Sequence, residues 1–319
     1  MQTKCILCGG KSNLLEKVSK QIIKNLYLER FSIDIDRFMP DDLYYYSCEE
    51  CDLRFFTNLD GSFPGGDEAF YNVLNKLDWY YSLEKSEYEY VKTFINEDSK
   101  VLEVGCGKAA FCEYLPNGAK KNYVGLEFST DAIKQAQSRG ISIKQAFVED
   151  YAESGGGGQF DRVCSFQVLE HVSNPYSFLN AQIKCLKKGG LLFVAVPSEE
   201  GFMRYVSNEI LNCPPHHVSR YTDKALHKIA EIFQLEFVEI WHEPSNLTKT
   251  NWQRMIFEAR EFIKNDKLVL RDEKYEGIMK IKCIRRLMHS FNKRWAKFIN
   301  VKVPNDYGHT VVAVYKKKF

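Results

Sequence analysis

A short apolar strand followed at once by a glycine-rich turn, Val101-Leu102-Glu103-Val104-Gly105-Cys106-Gly107, does most to restrict how this chain can fold. Glycines directly after a strand let the backbone turn sharply and approach a ligand at the strand's carboxyl end. Regular alternation follows. Residues 123–128 predict a second strand, and Ser129 or Thr130 caps a helix that runs to about Ser138, with Gly140 ending it. Residues 141–144, 160–166, 191–196 and 235–241 predict four more strands, with helices over 175–186 and 226–233 and a flexible glycine run at 155–158. Strands alternating with helices imply a parallel sheet covered on both faces. Residues 67–97 read as helical and rich in aromatics, 245–305 as mostly helical, and 309–315 as a returning edge strand. Two acids flank the turn: Glu103 within the first strand, and Glu127 closing the second, where a carboxylate can chelate two ribose hydroxyls.

Cysteine usage sets off the start of the chain. Of ten cysteines, four form the pairs Cys5-x-x-Cys8 and Cys48-x-x-Cys51, and the rest are isolated. Two such turns complete a tetrahedral thiolate shell, and soft thiolates in a closed site suit zinc. Gly9-Gly10 supplies the left-handed backbone freedom these turns use. A closed shell has no open position, so Cys5, Cys8, Cys48 and Cys51 are expected to hold a structural Zn2+. Lys and Arg total 44 against 42 Asp and Glu, a net charge of +2, so no global positive field favours nucleic acid or an anionic membrane. The longest apolar run, 191–197, is far short of the ~20 residues of a membrane helix. No apolar signal core is visible at the start. The expected location is cytoplasmic.

The motifs taken together resemble the class I S-adenosylmethionine-dependent methyltransferases over about 95–200 and the final strands. VLEVGCGKAAF is similar to that family's first motif and YVGLEFS to its second-strand acid. FDRVCSFQVLEHVSNP is similar to the fourth-strand motif and LKKGGLLFVAVPS to the fifth. The resemblance implies a Rossmann-like seven-stranded α/β sheet that binds S-adenosyl-L-methionine. Carried across, Gly105 and Gly107 pass under the methionine moiety, with Cys106 a small spacer between them. Glu103 orders that loop or meets the ammonium group, Glu127 takes the ribose, and Phe128 one face of adenine. Gln167 lines the methionine side, with His171 close behind. Where the family often has an acid to read adenine, this chain has Phe147, which leaves that contact to the Val148 and Glu149 backbone or to Asp150. Trp79-Tyr80-Tyr81 fits a helix closing over the cofactor, with Tyr81 in contact. The implied layout is a zinc-binding module at 1–60, a helical connector or lid at 61–97, the cofactor-binding core at 98–244, a helical basic insertion at 245–305 and a last core strand at 306–319.

The cysteine pairs ahead of this core resemble zinc-containing methyltransferases of sugar and glycan pathways; quinone O-methyltransferases share the Leu-Glu-His-Val core without the cysteines. The expected acceptor is an O or C position of a sugar, nucleotide-sugar or glycan precursor. Methyl transfer to such an atom needs alignment and a base. Cys213-Pro214-Pro215-His216-His217-Val218-Ser219-Arg220-Tyr221 follows the fifth strand, and imidazoles have an intrinsic pKa near neutral. His216 or His217 is expected to be the general base, with Arg220 or Tyr221 orienting substrate. Two further readings stand beside this one: an RNA methyltransferase using the basic segment 276–303, and a cofactor-binding scaffold without turnover. That segment is equally open to being a solvated helix face, a membrane-surface contact or a homodimer element.

Overall fold

The computed structural model describes residues 2–74, 76–77, 84–271, 290 and 306–319. Tyr81, its neighbours Trp79 and Tyr80, and the basic segment 276–303 apart from Ser290 lie outside them. The strands are β1 (Gln2–Lys4), β2 (Lys11–Val18), β3 (Leu43–Cys48), β4 (Arg54–Thr57), β5 (Val101–Val104) and β6 (Tyr123–Leu126). They continue with β7 (Ile143–Lys144), β8 (Phe160–Phe166), β9 (Leu186–Pro197), β10 (Ser219–Arg220), β11 (Glu236–Pro244) and β12 (Tyr307–Lys316). The helices used below are α1 (Lys20–Phe31), α2 (Glu68–Leu74), α3 (Ser86–Val91), α4 (Asn117–Lys121), α5 (Thr130–Gln137), α6 (Val148–Tyr151), α7 (Pro175–Cys185), α8 (Asp223–Ile232) and α9 (Lys249–Lys264).

A seven-stranded sheet runs β11-β12-β9-β8-β5-β6-β7, and a five-stranded sheet runs β1-β2-β3-β4-β10. The large sheet is parallel from β9 to β7. The sequence pattern predicts the last strand at the edge of this sheet. Instead β12 lies between β9 and β11, antiparallel to both. The reason is visible in its side chains: Val311 to Tyr315 are fully buried, which demands neighbours on both sides and both faces. The edge falls to β11, where Val238 is exposed among charged residues.

Side-chain alternation splits the core in two. Leu192, Val194 and Val196 of β9 join one apolar cluster, and Phe193 and Ala195 join the other. The first cluster also holds Cys5, Leu7, Cys48, Cys51 and Phe55, so the small sheet packs into the same core as the large one. The helices start where their caps dictate. The Asn174 side chain accepts from Ser177 N at the start of α7, with Pro175 in the first turn. Ser129 caps α5 and Thr222 caps α8 in the same way. The predicted helix over 67–97 is present as the separate pieces α2 and α3. Gly155 and Gly156 close a short helical segment from Ala152 and lead into a turn at 157–158; Gly155 has φ +106° and Gly156 lies against the Tyr151 ring. Among the described residues, no helix is long and apolar enough to cross a membrane.

Candidate active site

The carboxyl ends of β5, β6 and β8 meet at one edge of the large sheet. Gly105, Gly107, Ala109 and Gln167 all have positive φ. A Cβ at Gly105 would stand 2.6 Å from Val168 Cγ2, so the turn after β5 closes onto the residue that follows Gln167. Cys106 is buried against Gly125 and burial pushes its thiol up, the behaviour of a spacer and not of a nucleophile.

Glu127 sits at the centre of this edge. Its Oε1 accepts from Phe128 N (2.7 Å) and Ser129 N (2.9 Å), and its Oε2 accepts from Gly107 N at 2.7 Å. Oε2 therefore keeps acceptor capacity for an incoming hydroxyl. Beside it the rings of Phe128 and Phe147 touch, with centroids 3.8 Å apart, and both are exposed. Val148, which follows, is buried. Glu103 lies under the turn, 1 % exposed, with Tyr123 Oη donating to its Oε2 at 2.5 Å. Burial raises its pKa to about 8 against the opposing effect of that hydrogen bond and of Lys85. Gln167 Nε2 reaches Thr310 Oγ1 at 3.3 Å.

A second group of side chains follows directly. His171 comes from the turn after β8, and His216 and His217 from the segment before β10; one nitrogen of each ring lies within 4.8 Å of the others. The His216 and His217 rings stack at 4.4 Å between centroids, and His171 stands edge-on to both. The expected near-neutral imidazoles are not what this packing produces. Burial, and then the neighbouring rings, drive His216 and His217 well below their usual range, and burial takes His171 to about 4. Glu170 joins them, and sequence reasoning missed it as a site residue although it stands in the Leu-Glu-His-Val motif. It is 1 % exposed, and its Oε1 lies 3.8 Å from His171 Nε2 and 3.9 Å from His217 Nε2.

The segment carrying His216 and His217 belongs to the small sheet. Ser219 pairs with Phe55 and Arg220 with Arg54, while Phe56 N donates to Val218 O. Arg220, expected to face substrate, is buried and donates from Nε to Glu199 Oε1 at 2.5 Å, while Arg54 stands 3.9 Å from Oε2 without a hydrogen bond to it. Burial opposes ionisation of Glu199, yet Arg220 and Arg54 hold its carboxyl below the usual range. Tyr221 is 1 % exposed, and burial raises its hydroxyl pKa.

At the other end of the small sheet the four paired cysteines converge. Cys5–Cys51 and Cys8–Cys51 sulfurs are 3.6 Å apart and Cys8–Cys48 sulfurs 3.5 Å. A tetrahedral shell with metal–sulfur bonds of about 2.3 Å sets its sulfurs about 3.8 Å apart, so the cluster is able to hold a metal ion. Backbone N–H groups of Leu7, Gly10 and Cys51 point at Sγ atoms of Cys5, Cys8 and Cys48, which favours thiolates. Gly9, at φ +74°, makes the first turn possible.

Residues 83–240 match the family model described as "Methyltransferase domain". A solved S-adenosylmethionine-dependent methyltransferase from Archaeoglobus fulgidus superposes with a TM-score of 0.52 at 16% identity, covering 79% of this chain and all of that one. Among curated relatives, the mitochondrial ubiquinone biosynthesis O-methyltransferase of Dictyostelium discoideum is 25% identical over 175 residues, 50% of this chain and 53% of that protein. The ubiquinone biosynthesis O-methyltransferase of Glaesserella parasuis is 30% identical over 141 residues, 41% of this chain and 56% of that protein. The chain thus spans about half the length of these relatives. Its core has the fold of that solved methyltransferase and is joined to a small sheet with a four-cysteine cluster able to hold a metal.

Proposed function

We propose that this chain transfers a methyl group from S-adenosylmethionine to a small-molecule acceptor. The observation that carries the reading is Glu127, which retains acceptor capacity beside a glycine turn and an exposed aromatic pair. Glu127 would hold the ribose hydroxyls, Phe128 and Phe147 would part to take the adenine, and Gly105 and Gly107 would admit the methionine moiety. Glu103, ionised on binding, would face the ammonium group, and Gln167 would line the methionine side. The bound cofactor supplies an electrophilic methyl on sulfonium sulfur for in-line displacement.

The names of the relatives support oxygen as the acceptor atom. The cysteine module ahead of the core supports a sugar, nucleotide-sugar or glycan precursor as acceptor, by its resemblance to methyltransferases of those pathways. The acceptor's reacting oxygen would lie at the histidine group, with His216, His217 and Tyr221 around it. Arg220, spent on Glu199, would serve by fixing the segment that presents these rings. The four cysteines would hold a structural zinc.

Isothermal titration with S-adenosylmethionine tests cofactor binding, and a screen of nucleotide-sugars, free sugars and phenols for released S-adenosylhomocysteine tests transfer. One-site cofactor binding with product from an oxygen acceptor is the expected result. Absence of binding sinks the reading; binding without product from any acceptor leaves a scaffold.

A further inference from the structure

We propose that His171, His216 and His217, with Glu170 beside them, form a second metal centre, which takes a divalent first-row transition cation. The rings are arranged as ligands are. His171 Nδ1 donates to His216 O at 2.7 Å, with the Tyr71 hydroxyl 3.2 Å away. His216 Nδ1 donates to Leu211 O at 2.8 Å, and His217 Nδ1 to Asn212 Oδ1 at 3.0 Å. Anchoring each Nδ1–H on an oxygen fixes the tautomer that carries its lone pair on Nε2, the arrangement that surrounds metal-bound histidines.

Glu170 supplies an independent observation. It is 1 % exposed and, among the described residues, neither carboxylate oxygen has a hydrogen-bond partner. A buried carboxyl with nothing to accept from is costly and rare. Its Oε1 faces the Nε2 atoms of His171 and His217 at 3.8 and 3.9 Å. A cation held by the rings would also give this carboxylate a counter-charge. Protonated rings would not serve, because three adjacent imidazolium groups repel and burial already disfavours the first.

Three imidazoles make a harder set than four thiolates and leave a position open, suited to Zn2+, Fe2+ or Co2+ and not to a Mg2+ or Ca2+ cage of oxygens. The two clusters of this chain therefore differ in the metals they select. The site itself stands without the methyl-transfer reading. Its role rests on that reading: with Nε2 occupied, the acceptor oxygen would ligate the cation and lose its proton to water. Its oxygen–carbon bond to the methyl would then form as the carbon–sulfur bond breaks.

The test is metal content of the full chain, stripped with a strong chelator under reducing conditions and reloaded with Zn2+ or Co2+. Wild type should take two equivalents, by mass spectrometry of the metal. The His171→Ala/His217→Ala variant should take one. Cobalt absorption separates the sites: the thiolate cluster adds sulfur-to-metal charge transfer, and the second equivalent adds only weak visible bands. Glu170→Gln, close in shape, guards against misfolding; it should keep the circular dichroism spectrum and weaken the second equivalent tenfold or more. A single equivalent in wild type, or two in both variants, overturns the site. Cofactor binding, titrated on the same samples, reports separately on the methyl-transfer reading.

Discussion

The two sheets of this molecule spend their polar groups in opposite ways. In the small sheet and its junction the cysteines face one another, and Arg54, Glu199 and Arg220 form a buried ionic group. At the carboxyl edge of the large sheet, Glu127 retains acceptor capacity, Glu103 is buried with a raised pKa, and four residues hold positive φ. Groups that satisfy one another hold a fold together. Groups left with unspent capacity, on backbone held in strained geometry, wait for a ligand. Changes in the first region should therefore appear as lost stability, and changes in the second as lost affinity.

The largest expected effect comes from removing the cation of the cysteine cluster. Structural zinc contributes about 10 kcal/mol or more to folding in small modules. A chelator should unfold the small sheet, release β10 with His216 and His217, and abolish product formation while S-adenosylmethionine still binds. Loss of cofactor binding together with the metal would break the division between the two regions. Glu199→Gln leaves the buried Arg220 guanidinium without its counter-charge and should cost about 3–5 kcal/mol by urea denaturation, with little change in cofactor affinity. Since the Glu199 carboxyl is held below its ordinary pKa, that stability is present at neutral pH and drains away as pH falls through the carboxylate range.

In the second region the sign of the comparison reverses. Glu127→Gln, which keeps an oxygen for the backbone N–H groups, should weaken cofactor binding tenfold or more, the worth of one hydrogen bond to a charged acceptor, with the melting temperature little changed. The smallest effect is a pH dependence. Glu103 in the free protein is protonated below about 8, and a cofactor ammonium group binds its ionised form. Binding below that pH expels a proton, so affinity should fall by up to tenfold per unit as pH drops, and Glu103→Gln should flatten the profile. Titrations in buffers of different ionisation enthalpy measure that proton directly.

What could be read from the sequence follows the reach of each interaction. Cys5-x-x-Cys8 and Cys48-x-x-Cys51 are legible because the spacing of each pair is itself the geometry of a ligand turn. The turn from Gly105 to Gly107 and the acid at Glu127 are legible because strand ends and their loops are adjacent in the chain. The convergence of His171 with His216 and His217 is not, since sheet order brings it about and no local pattern records it. Arg220 shows the same limit: its charge suggested a substrate contact, but Glu199 lies across the junction and claims it. The last strand was misplaced at the edge because its apolar run was short on paper. Only the neighbours β9 and β11 show why both its sides had to be covered.

The pairing of β10 with β4 also bears on how the chain is made. Phe55 must wait for Ser219, roughly 160 residues later, before that edge of the small sheet is closed. At about 5–20 residues per second on the ribosome, the delay is on the order of ten seconds or more. During it the cysteine turns are already out and able to load their ion, while the open edge of β4 is a place for a chaperone or a wrong strand. The small sheet is thus begun first and finished late, and the histidines reach their places only when the nascent chain returns to close it.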